Sequence, residues 1–329
     1  MIGDSLKVPV LAIGFNRPDL LMGLLSQIPL DGRDVYISID GPRRTSEELL
    51  VNETIEVADK FKNTAHGVNV QTKYYEKNLG CKYGVYNAID WAFSSEDKLI
   101  ILEDDIRPIS QFFEYCDRGL SFFENQDDIW QLNGWTPLDN ENLTLSIYKT
   151  IHSHIWGWAT WKNRWECFDL EMSAWKEQKL SKLPIFKYSD VHPRFDAYWQ
   201  KTLNDCASGK INSWDSQWLF SMWINNGFAL SPSKRLCGNV GFDERATHTP
   251  TSGGEIFSRL PNSQVIFKPS AFYTIDSSLR FDRIHDVVNY RLDEYNEAIL
   301  VFSFIKSKRV FFMNHLRNVF RKIKRLKVN

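Results

Sequence analysis

Leu99, Ile100, Ile101 and Leu102 form an unbroken apolar run, and Glu103, Asp104 and Asp105 follow it with no spacer. Four apolar residues bounded by polar ones read as a strand buried on both faces, the habit of a central strand in a parallel sheet. The end of that strand must reach the rim of the sheet. Three adjacent carboxylates repel one another, and each is costly to desolvate without a positive partner. A divalent metal is the simplest such partner. The chain is thereby committed to a buried sheet with an acidic turn at one strand end.

The segments before this run alternate between strand and helix patterns. Residues 8–15 (VPVLAIGF) read as a first strand, with Asn16 as a candidate cap and Pro18 opening a helix that carries Leu20, Leu21, Leu24, Leu25 and Ile28. DVYISIDGPR is a second strand ending in the turn signal Asp40-Gly41-Pro42. Residues 46–62 read as a helix, VNVQTKYYE as a third strand, GVYNAIDWAFSS as a helix and KLIILEDD as the fourth strand. SQFFEYCDRGLSFFENQ is an amphipathic helix after the acidic turn. This order predicts an α/β fold with a mostly parallel, doubly wound sheet. Ligands of such sheets bind beyond the carboxyl ends of the strands, so Asp40 and the Glu103–Asp105 cluster are expected to converge.

From about Trp130 the sequence turns irregular and aromatic, as in IWGWATWKNRW and SWDSQWLFSMWINNG, and NVGFDERATHTPTSGGE reads as a loop. No internal repeat and no clear linker is present. The 329 residues suffice for a sizeable core. Residues 1–128 and 129–285 are expected to form two halves of one domain, with 286–329 a helical basic tail. Aromatic residues make up 14% of the chain, with 12 Trp. Such a content suits either a carbohydrate-binding surface or a Trp-rich core, and the sequence leaves both open.

The net charge of −1 hides an asymmetry. From Val301 onward there are nine Lys or Arg and no acid, leaving 31 basic against 41 acidic residues in the remainder. In the tail Ile305, Phe312, Leu316, Val319, Phe320 and Ile323 recur at helical spacing. A basic amphipathic helix of this kind predicts contact with an anionic membrane surface; a helix packed on the body is the alternative. The acidic body disfavours nucleic acid as a partner. No basic leader precedes the first strand, and no apolar run approaches the roughly 18–20 residues of a membrane span. Five scattered cysteines without CxxC spacing argue for a reducing cytoplasm rather than a disulfide framework or zinc site. The expected location is cytoplasmic, peripheral to the inner face of a membrane.

Several pieces, taken in order, resemble a known family: VLAIGFNRPD, YISIDGP, KNLGCKYGVYNAIDWAF, LIILEDDIRPISQFFEYC, NGW, WGWATWKNRW and SWDSQWLFSMWINNG. Over residues 8 to about 250 the chain looks like a GT-A glycosyltransferase of the family 2-like bacterial kind, with a motif order similar to N-acetylglucosaminyltransferase I. The resemblance implies a nucleotide-sugar donor, most simply UDP-linked, and Mn²⁺ or Mg²⁺. It implies that Arg17 contacts the uridine or its phosphates and that Asp40 accepts from the nucleobase or ribose. Lys82 falls where relatives place a donor-contacting residue that would pair with the diphosphate, although the N-acetylglucosaminyltransferase I type has histidine there. Asp105 would ligate the metal, with Glu103 and Asp104 holding ribose, donor sugar or metal-bound water. A hard cation suits this set, since Mg²⁺ and Mn²⁺ prefer oxygen ligands and often use one or two carboxylates plus substrate phosphates.

By the same resemblance Asp215, in SWDSQW, is the general base of an inverting reaction; as a residue in its own right it reads equally as an acid starting a helix. His248, in DERATHTP, would complete the metal shell or meet phosphate. Trp156, Gly157 and Trp158 would line the donor-sugar or acceptor pocket, and His152 and His154 are weaker candidates for acceptor contact. P-loop, GxGxxG, HExxH and GxSxG motifs are missing, which removes the commonest kinase, dehydrogenase, metalloprotease and hydrolase signatures. The expected activity is an inverting, metal-dependent transfer of a sugar to a glycan or lipid-linked acceptor in cell-surface polysaccharide synthesis. A sugar-nucleotide nucleotidyltransferase is one alternative, although AIGFNRPDLL lacks the Gly-rich loop such enzymes carry after the first strand. A non-catalytic sugar-nucleotide or glycan-binding relative is the other.

Overall fold

A computed structural model describes residues 7–137, 144–175, 179–186, 193–242 and 260–277. The first half runs β1 (Val10–Gly14), α1 (Pro18–Leu25), β2 (Val35–Ile39), α2 (Glu48–Thr64), β3 (Val70–Tyr74), α3 (Gly80–Phe93), β4 (Lys98–Glu103), β5 (Ile106–Pro108) and α4 (Ser110–Phe122). The second continues with β6 (Ile129–Asn133), β7 (Ile147–Thr150), β8 (Trp158–Trp161), α5 (Lys162–Trp165), α6 (Pro193–Ala207), α7 (Asp215–Ile224), β9 (Phe228–Pro232) and β10 (Cys237–Asn239). No helix among the described residues is long and apolar enough to cross a membrane.

Eight strands form one sheet in the order β3-β2-β1-β4-β8-β6-β9-β7, and β10 pairs with β5 in a separate ribbon. β1 is parallel to β2 and β4, β2 to β3, and β6 to β9. Only β8 and β7 run against their neighbours. The fold is therefore the α/β class expected, with a mostly parallel sheet that crosses from the first half of the chain into the second.

Strand alternation sorts the core into two layers. Val10, Ala12, Val35, Ile37, Ile100 and Leu102 face one way, packing with Leu21 and Leu24 of α1, Val51 of α2 and Phe112 of α4. Leu11, Tyr36, Leu99 and Ile101 face the other way, against Val85, Ala88 and Ile89 of α3 and Trp218 of α7. Helices thus cover both faces, and the run Leu99–Leu102 is apolar throughout because each layer claims alternate residues.

The chain moves outward from β1 to β3 and then returns to place β4 on β1's other side. That reversal opens a crevice at the carboxyl ends of β1 and β4. Ile13 is level with Glu103 in the parallel register. The residues that follow each strand, Asn16-Arg17 and Asp104-Asp105, are consequently brought together.

Two expectations need correction. The helix expected at 46–62 starts at Glu48, because Thr45–Glu47 forms a tighter 3-10 turn. The region beyond Trp130, read as irregular, supplies four more strands of the main sheet. Its tryptophans serve mainly as core: Trp158 stacks on Trp214 with centroids 5.5 Å apart, and Trp218 lies 5.3 Å from Trp165 and 5.7 Å from Trp130. Each indole N–H that finds a carbonyl, as Trp218 does on Gln131 Oε1 at 2.6 Å and Trp223 on the Ile151 carbonyl at 2.8 Å, fixes its ring's orientation.

Candidate active site

The crevice between β1 and β4 opens into a cavity of about 1400 Å³. Arg17, at the N-cap position of α1, reaches across it. Its Nε donates to Asp104 Oδ2 at 3.3 Å, and its Nη2 donates to Asp104 Oδ1 and, at 3.1 Å, to Asp105 Oδ2. Asp104 is 2% exposed, so the guanidinium is the counter-charge that lets it be buried. Burial pulls Arg17 down, but Asp104 and Asp105 outweigh it and hold the side chain above its usual range. The same crowding pushes Glu103 and Asp104 upward: burial first, then repulsion among the three carboxylates, with Arg17 opposing both. Arg17 and Arg107 against three carboxylates still leave the turn formally negative and attractive to a further cation.

Asp105 is held from behind. The backbone N–H of Val240, just past β10, donates to the Asp105 carbonyl at 2.9 Å, and the Gly241 N–H donates to Asn239 Oδ1 at 2.6 Å. A Cβ on Gly241 would lie 2.2 Å from Asp105 Oδ2 and 2.9 Å from its Cγ. Only glycine allows this approach. Arg107 fastens the turn from the other side, donating through Nη1 to the Asp104 and Ile106 carbonyls and through Nη2 to the Leu20 carbonyl of α1.

Asp40 follows β2 and also lines the cavity. Its Oδ1 accepts from the N–H groups of Gly41 (2.9 Å) and Leu79 (2.8 Å), and its Oδ2 from Gly80 N–H (3.0 Å) and Asn78 Nδ2 (2.9 Å). A carboxylate has about four lone-pair sites, and all four have donors within the chain. Asp40 therefore anchors the entrance to α3, where Gly80 takes a φ of +76°. Burial raises its pKa and these N–H groups oppose the rise. Arg43 stacks over Phe15 at 5.0 Å and is gripped by Glu47, at 2.6 Å from Nη2 to Oε1. Both Arg43 and Glu47 line the same cavity.

The opposite wall comes from the second half of the chain. Asp215 is the first residue of α7, with Trp214 at the cap position. It lines the cavity together with Trp135, Trp156, Tyr198 and Trp199. Arg17, Asp40, Glu103, Asp104, Asp105 and Asp215, widely spaced in sequence, are thus gathered around one space.

Two expected members lie elsewhere. Lys82 is on α3 outside the cavity lining, paired with Glu171 at 2.9 Å while Tyr83 Oη donates to the same carboxylate. Trp158, 1% exposed, sits in the layer between β4 and α7. Gly157, with φ +75°, breaks the alternation so that Trp156 lines the cavity and Trp158 does not. His248 and the basic tail lie outside the described residues. Sequence reasoning missed Arg43, Asn78, Tyr198, Trp199 and Gly241. Arg43 could have been found from its place directly after Asp40-Gly41-Pro42; the others carried no local signal.

The described residues contain no group of three His, Cys, Asp or Glu arranged as a metal cage. The donor chemistry nevertheless fits a hard cation that takes most of its ligands from a bound diphosphate and water. Glu103 and Asp105 are partly exposed, whereas both oxygens of Asp104 are taken by Arg17.

No family model matches the chain, and no curated protein matches it. Solved structures share part of its architecture. A mannosyltransferase from Pyrobaculum calidifontis, in complex with GDP-Man and Mn²⁺, aligns at 12% identity with a TM-score of 0.37, over 49% of this chain and 46% of that one. HddC from Yersinia pseudotuberculosis aligns at 11% identity and TM-score 0.26, over 49% and 80%. A UDP-glucose pyrophosphorylase complexed with UDP-glucose aligns at 8% identity and TM-score 0.33, over 69% and 90%. The chain thus spans under half the length of the mannosyltransferase. At identities and scores this low, none of the three carries an argument about this protein's activity.

Proposed function

We propose that the protein is an inverting, metal-dependent glycosyltransferase that uses a nucleotide-diphosphate sugar, most simply UDP-linked. The observation that carries this reading is the shared cavity: a carboxylate cluster and Arg17 at the β1–β4 crevice line one space with Asp215 at the start of α7. Glu103 and Asp105 would hold Mn²⁺ or Mg²⁺, which when bound neutralises charge on a leaving diphosphate. Arg17 and Arg43 add fixed positive charge on the donor side. Asp215 takes the proton of the acceptor hydroxyl as that oxygen bonds to the anomeric carbon. The anomeric C–O bond to the diphosphate breaks, and its electron pair departs with the diphosphate. Asp40, which lines the donor side of the same cavity, serves this scheme by shaping the entrance to α3.

Calorimetric titration with UDP, GDP, dTDP and CDP, in Mn²⁺ and in EDTA, tests the donor side. One nucleotide should bind with metal only, and Asp105→Ala should abolish that binding. Asp215→Asn should keep nucleotide affinity and lose turnover by roughly 10²–10⁴-fold. If no nucleotide binds with metal present, the reading fails. A nucleotidyltransferase would instead form sugar nucleotide from sugar phosphate and nucleoside triphosphate, and the Asp215→Asn variant would keep that activity.

The acceptor is a glycan or a lipid-linked sugar, and the enzyme works at the inner face of a membrane in cell-surface polysaccharide synthesis. This part rests on the nine Lys and Arg of residues 301–329. Co-sedimentation with vesicles should be strong for anionic lipid, weak for neutral lipid, and lost when residues 301–329 are removed.

A further inference from the structure

We propose that the aromatic half of the cavity is an acceptor subsite for a neutral pyranose, packed among Tyr198, Trp199 and Trp156 with one hydroxyl turned to Asp215. The assignment rests on the glycosyltransferase reading and names the chemistry of its second substrate. Three observations carry it: size, charge and the state of the walls.

Small-ligand sites enclose roughly 300–1000 Å³. A cavity of about 1400 Å³ therefore has room for two molecules side by side. Its two halves differ in charge. Between residues 13 and 105 the lining carries Arg17, Asp40, Arg43, Arg44, Glu47 and the three carboxylates of the acidic turn. Between residues 135 and 219 the described lining carries one carboxylate, Asp215, two histidines, His152 and His154, and no Lys or Arg. The first half suits a charged diphosphate. A phosphorylated or acidic acceptor in the second half would meet a carboxylate, two histidines and, among the described residues, no permanently charged cation, and desolvating an anion without a strong partner is costly.

A neutral sugar has what this half offers. Its C–H face packs on aromatic rings, and its hydroxyls pair with small polar groups. Trp156 is braced edge-on by Trp135 at 4.9 Å, and Trp199 by Trp223 at 5.2 Å, so the rings are set before a ligand arrives. Tyr198 beside them is 51% exposed. Asn212, Thr202 and Ser213 line the same cavity. Ser213 Oγ is buried there with no hydrogen-bond partner among the described residues, which a sugar hydroxyl would supply.

The test is saturation-transfer NMR in the presence of Mn²⁺ and the nucleotide that binds, using methyl glycosides of glucose, galactose, mannose and N-acetylglucosamine, and the corresponding sugar 6-phosphates. At least one neutral glycoside should receive saturation at its ring C–H protons. Tyr198→Ala and Trp156→Ala should each weaken that binding by roughly tenfold. Nucleotide affinity, titrated on the same samples, should stay at the wild-type value, which also shows that the variants are folded. The exposed Tyr198 keeps the test usable should Trp156→Ala unfold. Nucleotide binding without any glycoside signal, equal signals in wild type and Tyr198→Ala, or a preference for the 6-phosphates would each overturn the subsite. Failure of wild type to bind any nucleotide would overturn the glycosyltransferase reading itself, and the acceptor role with it.

Discussion

Gly241 shows how much a single hydrogen atom decides at the acidic turn. The nearest atoms to its missing side chain belong to Asp105, and one methyl group there must push that carboxylate aside. Gly241→Ala should destabilise the fold by about 1–3 kcal/mol, the usual range for overpacking. Its effect on metal-dependent nucleotide binding should be larger than that loss implies, because the displaced group is the proposed metal ligand. Thermal melting and calorimetry on the same variant check both; unchanged nucleotide affinity would mean that Asp105 is not held by this contact. Nothing local in NVGFD announced the role, since the partner lies far back in the sequence. Asp40 teaches the same lesson in reverse. Its position after a strand was legible, but its four donors were not, because three are backbone N–H groups that composition does not reveal.

At the level of elements, the short turn Thr45–Glu47 places Glu47 where Arg43 can grip it. The Glu47 carboxylate accepts from the Arg43 backbone N–H at 3.0 Å as well as from its guanidinium. Those hydrogen bonds from Arg43 lower the Glu47 pKa below its ordinary value of 4.5. A depressed acid contributes stability that is complete above its unfolded pKa and is lost as pH falls through the folded value. Wild type should therefore lose stability on acidification below about pH 4.5 more steeply than Glu47→Gln, as read from urea midpoints at a series of pH values; parallel curves would remove Glu47 from the account. The elements from β1 to α4 were readable because strand and helix periods alternate cleanly there. β6 to β9 were not, because the buried polar residues Gln131, Asn133, Thr150, Thr160 and Ser231 interrupt their apolar runs.

Across the whole molecule, charge is arranged at two opposite ends of the strands. The carboxyl ends hold the acidic turn. The entry ends hold Arg33, 1% exposed, which donates to Asp117 at 3.1 Å and to Asp31 at 2.8 Å, while Val8 N–H donates to Asp117 at 3.0 Å. Asp117→Ala leaves a buried guanidinium short of one partner and takes the acceptor from the Val8 N–H just before β1, and should destabilise by about 3 kcal/mol. Nucleotide affinity of the folded fraction should not change, because this cluster supports the sheet from the far side. A drop in affinity at temperatures where the variant stays folded would show that the two ends are coupled. The sheet order has a consequence in time. β4 emerges from the ribosome long before β8, the strand that covers its open edge, and at ~5–20 residues per second the delay lasts several seconds. During that interval a half-made sheet presents the bare apolar run Leu99–Leu102 at an open edge, so nascent chains halted before Trp158 should be the ones that bind holdase chaperones and aggregate.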